Sequence, residues 1–157
     1  MGVIRVRQMT RGDLPAILPI ENASFPTPWS ATSFEQEIDN PSSVALVIED
    51  DDVVAGYLCA GTVVEETDLR VIAVAPTRRR AGLARLLMLS LLNHAGNEAV
   101  QKIHLEVRRG NEAAIRLYQS LGFSVVGARK GYYQSPLEDA VLMTLCLLGG
   151  DPELPLK

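Results

Sequence analysis

The stretch Val71-Ile72-Ala73-Val74-Ala75-Pro76-Thr77-Arg78-Arg79-Arg80-Ala81-Gly82-Leu83-Ala84-Arg85 decides how the chain folds. Apart from Arg70, residues 69–75 are apolar and rich in β-branched side chains, which predicts a strand, and Pro76 ends it by withholding an amide hydrogen. Beyond the arginines, Leu83, Leu86, Leu87 and Leu91 recur at helical spacing, so a helix is expected over 83–94. A strand that turns through a glycine into a helix N-terminus suits an anion. Small residues at 81, 82 and 84 let backbone N–H groups approach phosphate oxygens. Three arginines at the positive end of a helix dipole repel it unless an anion lies among them. The segment is not a Walker loop, since no Gly-Lys-Ser/Thr follows, and it lacks GxGxxG. Taken alone it is equally compatible with a solvated charged turn.

Toward the N-terminus, Ile4 and Val6 alternate with Arg5 and Arg7, the pattern of a strand with one buried face. Thr10 and Asp13 form a capping box ahead of Leu14, Ile17 and Leu18 at helical spacing. Pro26 and Pro28 forbid a helix across the Phe25-Pro-Thr-Pro-Trp29-Ser30 loop. Thr32 and Glu35 offer a second capping pair for a short helix around Phe34 and Ile38. Residues 44–48 and 53–60 are apolar runs on either side of Glu49-Asp50-Asp51-Asp52, a hairpin with a solvated acidic tip. Toward the C-terminus, residues 102–108 alternate strictly, with Ile103, Leu105 and Val107 on one face and His104 and Glu106 on the other. Asn111 caps a helix that stops at Gly122, and 123–127 and 141–147 read as closing strands. Helices and strands mixed in this order indicate an α/β (α+β) layer fold, with 1–148 as a single domain and 149–157 as a flexible tail.

With 157 residues, 47% hydrophobic and 22% charged, the composition is that of one soluble domain with its own core. No apolar run reaches the roughly 18 to 20 residues of a spanning helix, and the start lacks a signal sequence, so a cytoplasmic protein is expected, with no membrane partner. Cys59 and Cys146 sit in apolar runs without ligand spacing, so neither a disulfide nor a metal site is expected. The net charge of -4 is uneven: residues 1–75 carry four arginines against twelve acids, and 76–157 carry eleven bases against seven acids. The basic excess is too small and too local for nucleic acid, and a small polyanion fits it better. The acidic half favours a basic protein tail through its field.

Arg79-Arg80-Ala81-Gly82-Leu83-Ala84 resembles the Q/R-x-x-G-x-G/A pyrophosphate loop of the GNAT acetyltransferases. Further segments narrow the likeness: Ser24-Phe-Pro-Thr-Pro-Trp29-Ser30, Leu105-Glu-Val-Arg108, Asn111-Glu-Ala-Ala-Ile115, Leu117-Tyr118, Leu121-Gly-Phe123, Arg129-Lys-Gly-Tyr-Tyr133, Glu138-Asp-Ala140 and Met143. In this order they resemble the bacterial ribosomal-protein-alanine N-acetyltransferases, the RimI type. The resemblance implies a GNAT fold, a mixed and mostly antiparallel central sheet flanked by helices on both faces and splayed at its middle strands to admit acetyl-CoA. It places pantetheine on Ile72, Ala73 and Val74, and the pyrophosphate on Arg79, Arg80, Ala81, Gly82, Leu83, Ala84 and Arg85. Alanine at 84, where glycine is commoner, is an accepted variant. Asn111 matches a cofactor-contacting asparagine, a role compatible with capping. An oxyanion would meet a backbone N–H near Val74.

The implied reaction moves acetyl from acetyl-CoA to the α-amine of a protein, an alanine-starting small-subunit ribosomal protein, by direct attack in a ternary complex. Such an amine, with pKa roughly 7.7 to 8.0, is mostly protonated at neutral pH and needs a base. Glu106 matches that base, although by itself it reads as a surface strand glutamate near Arg108. Tyr118 lies two helical turns beyond Asn111 and matches the acid that meets the departing thiolate; by itself it reads as a ring packed on Ile115 and Leu121. Asp68 is a rival base but reads as an exposed edge acid, and His104 reads as a hydrogen-bonded histidine rather than a relay. Trp29 and Tyr132 match the walls of the peptide slot, and by themselves read, with Tyr133, as loop anchors. One alternative acceptor is a lysine ε-amine or a small-molecule amine, whose pKa near 10.4 demands a stronger base. An alternative of another class is a binding module that senses acetyl-CoA without turnover. A monomer is expected.

Overall fold

The computed structural model describes residues 2–79 and 81–147. The elements along the chain are β1 (Ile4–Gln8), α1 (Leu14–Ser24), α2 (Ala31–Asp39), β2 (Ser43–Asp50), β3 (Val53–Val63), β4 (Glu66–Val74), α3 (Leu83–Asn97), β5 (Lys102–Arg108), α4 (Glu112–Ser120), β6 (Ser124–Gln134) and β7 (Leu137–Cys146). Single 3-10 turns at Arg11–Asp13 and Pro76–Arg78 precede α1 and follow β4. The strands are hydrogen-bonded in the order β1-β2-β3-β4-β5-β7-β6. β1 with β2, β2 with β3, β5 with β7 and β6 with β7 run antiparallel, whereas β4 and β5 are parallel, with register over residues 66–68 and 102–104. The mixed, mostly antiparallel sheet is the one expected. Arg80 and the tail 149–157 lie outside the described residues.

The chain forms two compact units, residues 1–62 with 70–94, and 63–69 with 95–157. In the first, the alternation of β1 sorts its side chains. Arg7 reaches Asp13 at the start of α1, with nitrogen to oxygen distances of 2.9 and 2.7 Å, while Ile4 and Val6 line a groove with Leu86 and Leu89 of α3. Helices α1 and α3 therefore lie on opposite faces of β1. Under α1 and α2, Leu14, Ile17, Ile20, Phe34, Val47, Tyr57, Cys59, Val71 and Ala73 form one core cluster. Burial of each large apolar side chain contributes about 1.5–3 kcal/mol.

Two expectations are corrected here. The acidic hairpin tip shrinks to Asp51 and Asp52, whose φ angles of 55° and 68° make a left-handed two-residue turn. Glu49 is no part of it: the side chain is buried and accepts from Arg5 and Arg7, each at 2.9 Å. An acid two residues from a turn points wherever strand alternation sends it, and here that is toward the arginines of β1. The cap of α2 is Ser30, whose Oγ accepts from the Ser33 amide at 3.2 Å, and Thr32 already lies inside the helix.

In the second unit β5 keeps its expected bounds and buries Ile103, Leu105 and Val107. Helix α4 stops as expected, with Gly122 left-handed at φ 102°. Strands β6 and β7 run well past their apolar cores, pairing to the end with Tyr133 opposite Glu138 and Gln134 opposite Leu137. A register shift between Arg129 and Tyr133, with Gly131 at φ 63°, breaks the alternation. That bulge hides the strand in the sequence, so Tyr132 and Tyr133 stand on β6 and not on a loop.

Candidate active site

Each unit carries one group of the expected site residues. In the first unit β4 ends with Ile72, Ala73 and Val74, Ile72 half-buried and the other two buried. The Val74 carbonyl accepts from Arg79 Nε at 3.0 Å, and Arg79 Nη2 donates to Ser24 Oγ, the last residue of α1, at 3.1 Å. Arg78 Nη1 lies 3.2 Å from Asp50. Both guanidinium groups thus have partners within the protein, and the charge of Arg78 is offset by Asp50 without an anion. The backbone still argues for one. Gly82 takes φ 80° and its carbonyl receives the Leu86 amide at 3.1 Å, which makes it the N-cap of α3. A glycine has no side-chain oxygen to cap the first turn of α3, and a helix start of this kind suits a phosphate. Among the described residues, nothing lies within 4 Å of where a Cβ would stand at Gly82.

The same unit holds Trp29, half-buried in the 25–30 loop. Its ring packs 5.2 Å from Phe34, which meets Tyr57 edge-on at 5.5 Å. Glu21 beneath them is 1% exposed; its Oε2 accepts from the Trp29 amide at 2.9 Å and its Oε1 from the Tyr57 hydroxyl at 2.6 Å. Sequence reading missed Glu21. The available signal was its place four residues after Ile17 on the apolar stripe of α1, where a carboxylate calls for partners.

The second unit brings together Glu106, Tyr118 and Tyr132, with Tyr133 among them. Glu106 projects from the polar face of β5, and its partner is Arg129 of β6, with Nε 3.1 Å from Oε2, rather than Arg108. Arg108 on the same strand lies 4.3 Å over the Tyr133 ring and donates to Glu138 Oε1 at 3.2 Å and the Pro136 carbonyl at 3.0 Å. Glu106 is the main cause that raises the Tyr132 phenol above its ordinary value. Tyr133 packs against Tyr132 at 5.1 Å and is raised first by burial and then by the charge of Glu106. Tyr118 is buried 5.9 Å from Phe123, and its phenol is pushed up to about 12, by burial first and by Tyr133 second. Asn111 caps α4, its Oδ1 accepting from the Ala114 amide at 3.2 Å. His104 is held by Glu66 at 2.5 Å and Thr144 at 2.8 Å, and Asp68 is exposed on β4, as expected of both.

A carboxylate paired with a guanidinium, in one unit with a buried phenol that stays protonated, offers a proton acceptor and a hydrogen-bond donor. The Acetyltransferase (GNAT) family matches residues 14–123. A [ribosomal protein bS18]-alanine N-acetyltransferase of Salmonella typhimurium is 37% identical over 147 residues, 92% of this chain and 97% of that protein. The Escherichia coli K12 enzyme of the same name is 35% identical over 135 residues, 85% and 90% of the two chains. The crystal structure of the ribosomal-protein-S18-alanine N-acetyltransferase from Escherichia coli superposes with a TM-score of 0.86 at 32% identity, over 92% of this chain and 94% of that one. The chain belongs to the GNAT acetyltransferase family and is an acetyl-CoA-dependent N-acetyltransferase.

Proposed function

We propose that the protein acetylates the N-terminal α-amine of a protein, an alanine-starting ribosomal protein of the bS18 kind, in the cytoplasm where that acceptor is made. The observation that carries this reading is the group around Glu106: a carboxylate paired with Arg129, with the packed rings of Tyr132 and Tyr133 and the buried Tyr118 in the same compact unit. The similarity to the bS18-alanine enzymes over nearly the whole chain supports the acceptor class. The family match draws on residues of both compact units, which supports 1–148 acting as one acetyltransferase domain.

Bound acetyl-CoA supplies the acyl group as an activated thioester. Its pyrophosphate suits the start of α3 and the loop 79–85, its pantetheine the backbone of Ile72, Ala73 and Val74, and Asn111 is assigned a further cofactor contact by its match to the family's asparagine. Glu106 takes the proton of the incoming ammonium, directly or through a water, and Arg129 keeps the carboxylate aimed. Tyr118 donates a hydrogen bond to the sulfur as negative charge develops there. Trp29 in the first unit and Tyr132 in the second are assigned to acceptor binding, each by its match to the family's motif.

The test is thiol release from acetyl-CoA with two peptides, one beginning with alanine in a bS18-like sequence and the same peptide blocked at its N-terminus but keeping its lysines. Turnover is expected with the first and not with the second. Equal turnover with both would move the acceptor to a lysine side chain.

A further inference from the structure

We propose that Glu21 is a positioning residue for acceptor binding, whose buried carboxylate holds the 25–30 loop by the Trp29 amide and ties it to β3 by the Tyr57 hydroxyl. The inference rests on the assignment of Trp29 to the acceptor slot. Glu21 occupies a place on α1 where packing alone favours leucine, on the stripe of Leu14 and Ile17. Burial of a carboxylate is costly unless its oxygens are satisfied, and both are: one by the loop, the other by β3. The contacts close a circuit. Glu21 binds Tyr57, Tyr57 packs on Phe34, Phe34 on Trp29, and the Trp29 amide returns to Glu21.

That circuit joins α1, β3, α2 and the loop through one side chain. Charge-assisted bonds to a carboxylate are stronger than neutral ones, so the loop is fixed at its aromatic residue and not merely at its ends. Tyr57, raised far above an ordinary phenol by burial and by Glu21, always has its proton to donate. Pro26 and Pro28 have no N–H, so the bond at Trp29 is one of few anchors this loop can offer.

Trp29 is the one tryptophan of the chain, so its fluorescence reads the loop directly. In Glu21→Leu the peptide KM is expected to rise about tenfold with kcat within twofold and acetyl-CoA KM unchanged, since two bonds to a charged group are lost. Trp29 emission should shift to the red and quench more readily with acrylamide. Glu21→Gln should restore both readouts, because its amide oxygen still accepts from Trp29 and its amide nitrogen can donate to the Tyr57 oxygen. Tyr57→Phe, which keeps the Trp29 bond, should give a smaller shift of the same sign, and it tests the proposal even where Glu21→Leu fails to fold. Wild-type emission and peptide KM in either of the folded leucine or phenylalanine variants would overturn it. So would an acetyl-CoA KM that rises in step with the peptide KM, which marks general loss of structure. A shifted emission with wild-type peptide KM overturns the acceptor role and leaves the acetyltransferase reading intact. A wild-type enzyme that acetylates no N-terminal peptide overturns that reading, and this proposal with it.

Discussion

At Tyr118 the environment changes what the residue can do. A phenol pushed up to about 12 gives its proton to a thiolate of pKa near 8.5 only at a cost of about 5 kcal/mol. Hydrogen-bond donation through the developing charge has no such cost. Tyr118→Phe is therefore expected to lower kcat about 10- to 100-fold, the worth of one hydrogen bond to a charged atom. The pH profile carries the sign: Tyr118 remains a donor until pH nears 12, so peptide kcat/KM rises as the amine deprotonates and holds level through pH 10. A falling limb near pH 10 that Tyr118→Phe abolished would contradict this. Glu106→Gln should cost more in kcat, about 10²- to 10⁴-fold, with acetyl-CoA KM unchanged. These residues could be named from the chain because they sit in ordered motifs. Glu21 sits in none, and its role comes from a partner 36 positions away.

Among the elements, those with clean periodicity were legible: β5 by its strict alternation, α3 by its leucines, and the end of α4 by Gly122. β4 began three residues before its apolar run, and β6 and β7 ran beyond theirs, because a strand lasts as long as its neighbour supplies hydrogen bonds. The attachment of β1 shows the same dependence on a partner. Asp13 is held below the ordinary carboxylate range by Arg7, and Glu49 by Arg7 and then Arg5. Groups so depressed stabilise the fold fully above their unfolded values, near 4, and that stability is lost as pH falls through the lower folded values. Glu49→Gln should accordingly melt below wild type at pH 7, and the gap should close as pH falls through the depressed folded value. A gap in melting temperature that persisted in acid would point to packing instead.

For the molecule as a whole, the charge division read along the chain is redistributed by the fold. Counted by compact unit, residues 1–62 with 70–94 hold eight bases and nine acids, a balance of -1, and the other unit holds seven bases and ten acids, a balance of -3. Arg5, Arg7, Arg70 and Arg78 are also spent on Glu49, Asp13, Glu37 and Asp50. The field expected to draw in a basic tail is correspondingly shallow, so peptide KM should change less than about threefold between 50 and 500 mM salt. A tenfold rise would restore electrostatic steering. The sequence by itself determined the fold class and the family, since these depend on periodicity, on glycine and proline, and on motifs contiguous in the chain. Only the tertiary structure decided that Arg129 rather than Arg108 meets Glu106, that Arg79 turns back to Val74 and Ser24, and that Glu21 anchors Trp29. Hydrogen bonds and ion pairs act over about 3 Å in space, and chain position does not say which side chains arrive within it.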